Sequence, residues 1–265
     1  MTDPLGNRQH GPPSFRAAME NRKVQILTAG LAVAAIAALT AVAVQAQSAK
    51  EEGAISSRAQ VEQIVHDYIL DHPEILPQAM ERLQAKRMSA AIDEKRAQIE
   101  TPFAGSWEGA ENGDVVLVEF FDYACSYCRA SLGDITKLLT EDKKLKVVYR
   151  ELPILSKESG DAAHVSLLAA EKGKYPEFHK ALYAAGHVTK DSILSAAASV
   201  GIDRGAAQKA IADGRYDGEI EKNIGLAQSL GASGTPTFVV GNRVLQGAVG
   251  YAALKSAVEE ARVRK

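Results

Sequence analysis

The spacing of apolar residues divides the chain into a helical first part and a mixed second part. In "SSRAQVEQIVHDYILDHPEIL" apolar residues return every three or four positions, which predicts a helix that ends where Pro73 breaks the pattern. Ser57, three residues before Gln60, is a candidate N-cap for this helix. One long helix is then predicted from Pro73 to Glu100, so that residues 56–103 form a helical segment.

The second helix carries a narrow apolar seam between charged flanks. The seam residues are Leu76, Met80, Leu83, Met88, Ile92 and Ile99. Such a seam is typical of helices that pair with another chain, and self-association through residues 56–103 is one interpretation. A solvated helix that rests on its own domain is the other, because the seam shifts register after Leu83.

A strand, a helix and a second strand are predicted after a linker at residues 101–114, which are rich in Gly, Pro and polar residues. The β-branched run "DVVLVEFFDY" indicates a buried strand, the stretch from Cys125 to about Glu141 a helix, and "LKVVYREL" another strand. Elements this close predict a right-handed βαβ unit with parallel strands.

The remainder of the chain is predicted to be helical apart from one hairpin. The pattern is helical from Lys157 to Leu230, with breaks at four glycines: Gly173, Gly186, Gly201 and Gly214. "TPTFVVGNRVLQG" then predicts two short strands around a Gly241-Asn242 turn, and an amphipathic helix closes the chain. These elements indicate an α/β domain at residues 105–265 with an all-helical insertion near 157–231.

The first 46 residues have the three parts of a secretory signal. Arg16, Arg22 and Lys23 precede an uncharged apolar run of 19 residues from Ile26 to Val44, and cleavage after Ala46 is acceptable. The run is also long enough to span a bilayer if it is retained. In both cases residues 47–265 are expected to be exported, as a periplasmic protein or as a domain anchored to the inner membrane.

Composition and charge exclude some classes of partner. Apolar residues make up 46% of the chain and charged residues 24%, as in an ordinary globular protein. The formal net charge is −2, which provides no electrostatic basis for binding nucleic acid. No nucleic-acid partner is therefore expected.

The chain has only two cysteines, Cys125 and Cys128, which lie where the predicted strand gives way to a helix. A helix N-terminus favours a thiolate, and a second thiol one turn on can resolve a mixed disulfide. A structural disulfide would close too small a loop to stabilise the fold much. The six histidines are scattered, so a four-ligand zinc site is not expected, although two thiolates suit Cu(I). Reversible disulfide exchange is favoured, with no metal or cofactor, and the metal and staple interpretations stay open.

Two stretches around these cysteines resemble a known family. "VEFFDYACSYC" resembles the active-site strand and helix of DsbA-type thiol–disulfide oxidoreductases of the thioredoxin superfamily, and "GTPTFVVG" resembles their loop with a cis-proline. The similarity extends from about Gly113 to Ala261. The leading "VEQIVHDYILDHPEILPQAMERLQ" resembles the suppressor-of-copper-sensitivity protein C (ScsC) branch. The resemblance implies a thioredoxin-like fold with a helical insertion, preceded by an N-terminal helical segment at residues 47–104.

The resemblance also implies roles for single residues. Cys125 matches the nucleophile, Cys128 the resolving thiol, and Pro236 the cis-proline, with Thr235 before it. In the family this loop lies beside the disulfide and pairs with an extended substrate segment. Glu119 matches a buried acid that takes or relays a proton; the alternative for Glu119 is a solvent-facing strand carboxylate.

The dipeptide between the cysteines departs from the family pattern. Ser126 stands where Pro or Gly is more usual, and Tyr127 is a candidate for substrate contact. This dipeptide tunes thiolate stability and hence oxidising power. Thr235 before Pro236 resembles the isomerase-type members more than the strong oxidases.

The function implied is an exported thiol–disulfide oxidoreductase that exchanges, and in an assembled form isomerises, disulfides in periplasmic proteins. Its expected partners are cysteine-containing exported proteins and a membrane redox protein that resets the cysteine pair. The alternative is a copper-binding or copper-protective protein with the same two thiols as Cu(I) ligands.

Overall fold

A computed structural model describes residues 37–41 and 57–263. The predicted signal or anchor, residues 1–46, lies outside the described residues apart from 37–41, which are helical and exposed. The chain divides into two compact units, Met1–Ile75 and Leu76–Lys265. Within the two described ranges, no helix has both the length and the apolar character needed to cross a bilayer.

The described part of the first unit contains helix α1, Arg58–Asp71. Ser57 caps it as the sequence predicts: its side chain accepts the N–H of Gln60, and the Gln60 side chain accepts the N–H of Ser57. The helix ends before Pro73. None of its residues is buried. Ile69 is half-buried, and five other large apolar side chains are exposed: Val61, Ile64, Val65, Tyr68 and Leu70.

Helix α2, Ile75–Glu100, has two halves with different surroundings. Leu76, Met80 and Leu83 in its first half are about half exposed. Ile92 and Ile99 in its second half are fully buried in a core cluster with residues of the sheet and of a later helix. The register shift after Leu83 marks the change between the halves. The larger compact unit therefore begins earlier than the boundary at residue 105 that the linker suggests.

The sheet has five strands in the order β1-β3-β2-β4-β5. The strands are β1 Trp107–Gly109, β2 Val115–Phe121, β3 Leu145–Glu151, β4 Thr237–Val240 and β5 Arg243–Gln246. Strands β2 and β3 are parallel and joined by helix α3, Ser126–Glu141, as predicted; the other pairs are antiparallel. Strand β1 lies inside the segment that the sequence predicts to be a linker. It was not predicted because three residues at a sheet edge are too few to show an alternating pattern.

Five helices separate β3 from β4, and they correspond to the predicted insertion. They are α4 Lys157–Glu171, α5 Tyr175–Ala184, α6 Lys190–Ser199, α7 Arg204–Ala212 and α8 Asp217–Ser229. Helix α9, Tyr251–Val263, follows the hairpin of β4 and β5. All four glycines at which breaks were predicted have positive φ, which lets the chain turn between helices without a Cβ clash.

Side chains alternate between two faces of the sheet. Leu117 and Phe121 of β2 join a core cluster that includes residues of α3, α4, α5 and α9. Val118 and Phe120 face the other way, toward Ile92, Ile99 and the last turn of α8. Glu119 has the same parity as Leu117 and Phe121, so it lies on the face that carries α3 and the cysteines.

Arg150 on β3 is fully buried and ties the end of α2 to the sheet. Its guanidinium donates to the carbonyl of Ile99 at 3.1 Å and to those of Gln98 and Thr101. It also donates to the Glu219 carboxylate at 3.1 Å and to the Asn223 side chain at 2.8 Å. These carbonyls at the end of α2 have no partner within the helix, so Arg150 supplies the donors that they lack.

Arg150→Met is expected to lower the free energy of unfolding by about 3–5 kcal/mol, because it leaves several carbonyls at the end of α2 and the buried Asn223 side chain without their donor. Urea unfolding of the full chain measures this loss. The matched control is Arg243→Met, since Arg243 pairs with Glu260 at the surface, and its loss should be below about 1 kcal/mol. Equal losses of stability in the two variants would contradict the stabilising role of Arg150 between α2 and the sheet.

Candidate active site

Cys125 lies at the junction of β2 and α3. It is the N-cap residue of α3, and its sulfur accepts the N–H of Cys128 at 3.4 Å. The free N–H groups and the positive end of the helix dipole at this position stabilise negative charge on the sulfur. Both cysteines are free thiols, and Cys125 is 5% exposed whereas Cys128 is 1% exposed. Cys125 is therefore the better placed of the two to meet another molecule.

The loop before β4 brings Thr235 and Pro236 to Cys125. The Thr235-Pro236 peptide is cis, as the resemblance implies. The thiol of Cys125 donates to the carbonyl oxygen of Thr235 at 3.2 Å, across 110 positions of sequence. Strand β4 pairs with β2 so that Thr237 faces Phe120, which fixes this loop beside the end of β2. The loop therefore lies within hydrogen-bond distance of Cys125.

Glu119 is buried beneath the cysteines, 2% exposed, with one carboxylate oxygen that has no hydrogen-bond partner. Burial, with a smaller contribution from negative charge on Cys125, raises the pKa of Glu119 to about 8. The structure thus places it as a buried acid and not as a solvent-facing carboxylate. A carboxyl group with this pKa can give or accept a proton near neutral pH.

Cys128 is in an environment that favours its protonated form. Burial raises the pKa of the Cys128 thiol, and the carboxylate of Glu119 raises it further. A proton must leave Cys128 before its sulfur can attack a disulfide. Glu119 therefore lies where a proton acceptor for Cys128 would be useful.

Glu119→Gln is expected to remove a pH-dependent destabilisation of the folded chain. The folded state holds the Glu119 proton up to about pH 8, whereas the unfolded carboxyl loses it near its ordinary pKa of 4.5. The unfolded state therefore binds fewer protons between these values, and wild-type stability falls as pH rises through this window. The full difference at pH 9 should approach about 5 kcal/mol.

Chemical unfolding of both proteins at steps from pH 4 to pH 9 measures this effect. The gap between the two stability curves should widen in favour of the Gln variant up to about pH 8 and then stay constant. The exposed Glu259→Gln is the control. Parallel curves for wild type and Glu119→Gln would contradict the raised pKa.

Several buried polar residues near the site are not evident from sequence spacing. Glu151 ends β3 on the same face as Glu119; it is 2% exposed, and burial raises its pKa well above the usual range. The Tyr123 hydroxyl lies 2.9 Å from the Ser166 hydroxyl and 3.0 Å from Nδ1 of His179. Burial lowers the pKa of His179 to about 3, so its ring is neutral at physiological pH. The one signal available in the sequence was Glu151, an acidic residue at the end of a predicted strand.

Tyr127 is the most exposed of the predicted site residues. Its side chain, in the first turn of α3 between the two cysteines, is 67% exposed. An exposed aromatic ring beside a reactive thiol is available to contact an incoming chain.

The described residues contain no group of three or more His, Cys, Asp or Glu side chains arranged to hold a metal ion.

The DSBA-like thioredoxin domain model matches residues 116–259, more than half of the chain. The chain belongs to this family. A second model, the copper resistance protein ScsC N-terminal domain, matches residues 58–90. The predicted resemblance to DsbA-type oxidoreductases near the ScsC branch is confirmed, and so is the thioredoxin-like fold with its helical insertion and leading helical segment.

Solved structures of family members share this fold. A thioredoxin-like oxidoreductase from Silicibacter pomeroyi is 38% identical with a TM-score of 0.60, covering 63% of this chain and 98% of that one. Proteus mirabilis ScsC in a transitional conformation is 26% identical with a TM-score of 0.60, covering 80% of this chain and 99% of that one.

Several of the curated relatives matched by the chain are longer proteins. The Na(+)/H(+) antiporter NhaA 3 of Salinispora tropica is 30% identical over 156 residues, which are 58% of this chain and 24% of the antiporter. The chain therefore spans about a quarter of the length of such relatives.

Proposed function

We propose that the chain is an exported thiol–disulfide oxidoreductase that exchanges disulfides in periplasmic proteins through Cys125 and Cys128, and isomerises them when assembled. The observation that carries this proposal is the position of the Cys125 sulfur. It lies at the N-terminus of α3, one turn from a second thiol and 3.2 Å from the Thr235 carbonyl. Membership of the DSBA-like family supports the same reaction class.

The reaction proceeds by two exchanges of sulfur partners. The Cys125 thiolate attacks a substrate disulfide, forms a mixed disulfide and releases one substrate thiolate, which takes a proton. Cys128 then loses its proton to Glu119 and attacks the Cys125 sulfur, which releases the second substrate thiolate. The substrate gains two electrons, and the cysteine pair is oxidised to a disulfide. Oxidation of substrate dithiols follows the same steps in reverse.

The loop that precedes β4 is proposed to hold the substrate. An extended segment that pairs with the backbone at Thr235 would bring its cysteine to Cys125, and the Tyr127 ring would lie beside it. The partners proposed are cysteine-containing exported proteins. A membrane redox protein is proposed to reset the pair, and Arg16, Arg22 and Lys23 before the apolar run support export to the periplasm.

Turnover by the full chain tests the proposal. The reduced protein is mixed with a small aromatic disulfide and, separately, with a scrambled multi-disulfide protein in glutathione buffer. Catalysed reduction of the small disulfide supports oxidoreductase activity. Recovery of the native form of the scrambled protein supports isomerisation. Failure to react with either substrate above the rate of free glutathione would overturn the proposal.

Copper ligation by the same thiols is the competing function, and the match of residues 58–90 to a copper resistance protein domain favours keeping it in the test. The thiolates of Cys125 and Cys128 would be the ligands, since soft thiolates suit Cu(I). Titration of the reduced chain with Cu(I) would show one ion per chain, lost on oxidation to the disulfide. Copper binding without turnover would favour this alternative.

A further inference from the structure

Asp122 lies between β2 and Cys125, and its carboxylate is buried, 1% exposed. One carboxylate oxygen accepts the N–H of Ala124 at 2.8 Å. The other accepts the N–H groups of Ile154 at 2.9 Å and Leu155 at 3.0 Å. A carboxylate with three backbone donors is well satisfied in a buried position, and each of these bonds is of the strong, charge-assisted kind.

The main chain of Asp122 extends these contacts. Its carbonyl oxygen accepts the N–H of Cys125 at 3.0 Å and the hydroxyl of Tyr183 at 3.2 Å. Because β2 and β3 are parallel neighbours, the segments that follow them meet at one edge of the sheet. One residue thus bonds to the cysteine loop, to the segment after β3 and to α5.

The segment after β3 presents apolar side chains to solvent. Ile154 is 48% exposed and Leu155 is 53% exposed. Among the described residues after 100, the exposed large apolar side chains are Tyr127, Ile154, Leu155 and Val263. Three of these four lie on the two segments that Asp122 joins. Exposed apolar groups gathered beside a reactive thiol indicate a surface that meets another molecule.

We propose that Asp122 is a positioning residue for disulfide exchange, which fixes the Cys125 loop against an apolar lip formed by Tyr127, Ile154 and Leu155. This proposal rests on the proposed function and narrows its substrate class. The lip receives an apolar side chain next to the reactive cysteine of an extended substrate segment.

Two synthetic disulfide peptides test the lip. They differ in the residues that flank the cysteine, Leu in one and Ser in the other. Wild-type full chain is expected to have a higher kcat/KM for the Leu peptide by about tenfold, the discrimination typical of one apolar pocket. The double variant Ile154→Ser/Leu155→Ser should bring this ratio close to one. An equal kcat/KM for both peptides in wild type would overturn the proposal that the lip binds an apolar substrate side chain.

Substitutions of Asp122 test the positioning role. Asp122→Ala removes all three acceptor bonds and should lower kcat/KM for the Leu peptide about 100-fold, as expected for a displaced catalytic group. It should also abolish the preference for Leu. Asp122→Asn keeps one acceptor oxygen. It should therefore retain part of the kcat/KM for the Leu peptide and part of the preference for Leu. Asp191→Ala, a change in an exposed side chain on α6, is the control and should leave both values unchanged.

Alkylation of Cys125 by iodoacetamide in a Cys128→Ser background provides a measurement without any disulfide substrate. Asp122→Asn should change this rate more than tenfold while the thermal unfolding midpoint shows that the chain is folded. A folded Asp122→Asn with wild-type alkylation and a wild-type peptide ratio would overturn the positioning role. Absence of peptide turnover in wild type would instead count against the proposed function, and the alkylation rates would still decide the role of Asp122.

Discussion

Cys125→Ser is expected to leave no disulfide exchange above the uncatalysed rate, whereas Cys128→Ser is expected to accumulate a mixed disulfide with substrate. The difference follows from position. Cys125 is the more exposed thiol, at the helix N-terminus and beside the Thr235 carbonyl, so it forms the bond to substrate. Cys128 lies one turn further on and releases that bond. Without Cys128 the first exchange is complete and the second cannot occur.

Mass spectrometry of each variant after incubation with a disulfide peptide measures this result. Cys128→Ser should gain the mass of one peptide half, and a reductant should remove it. Cys125→Ser should gain nothing with a bulky reagent, because Cys128 is buried and burial raises its thiol pKa. The double variant Cys125→Ser/Cys128→Ser is the blank. Equal labelling of the two single variants would contradict the assignment of roles.

The parts of the site that sequence alone could predict are those with local signals. The spacing of the cysteines, the strand before them and the helix after them lie within one short stretch. Proximity of Thr235 to Cys125 is a long-range contact, and it was accessible only because both stretches resemble a family. Glu119 could be predicted as a site residue from the same resemblance, but its burial depends on which face of the sheet it occupies.

Other features depend on contacts that no local pattern encodes. Asp122 bonds to Ile154 and Leu155 because two parallel strands end at the same edge, and its role cannot be inferred from "FFDYAC" alone. Arg150 is a charged residue in β3, and its burial depends on the end of α2. Strand β1 was hidden because three residues carry too little alternation to distinguish from a linker.

The seam of α2 shows how one sequence pattern can combine two structural roles. Its second half, with Ile92 and Ile99, covers one face of the sheet in its own chain. Its first half, with Leu76, Met80 and Leu83, remains exposed. The packing of a helix on its own domain therefore describes the second half of α2, and self-association stays a prediction for the first half. Within α2, the exposed large apolar side chains are those of Leu76, Met80 and Leu83.

We expect the full exported chain to self-associate through α1 and the first half of α2, and the triple variant Leu76→Glu/Met80→Glu/Leu83→Glu to be a monomer. Exposed apolar side chains on an isolated helix are unfavourable, and helices of this length are marginal in water without a partner. Burial against another copy would contribute about 1.5–3 kcal/mol for each fully buried side chain. Three introduced carboxylates would oppose that burial by desolvation and mutual repulsion.

Light scattering at micromolar concentration gives the mass of the assembly. The variant must disrupt self-association without damaging the core of the larger unit. Deletion of residues 47–103 would also remove Ile92, Ile99 and the carbonyls that Arg150 caps, so it would damage the core. The triple variant leaves these in place and should still reduce a small disulfide. It should lose the recovery of a scrambled protein, since that depends on sites held at high effective concentration. Val263→Glu, an exposed apolar control on α9, should keep the wild-type mass. A monomeric wild type would remove the basis for isomerase activity and leave a simple oxidoreductase.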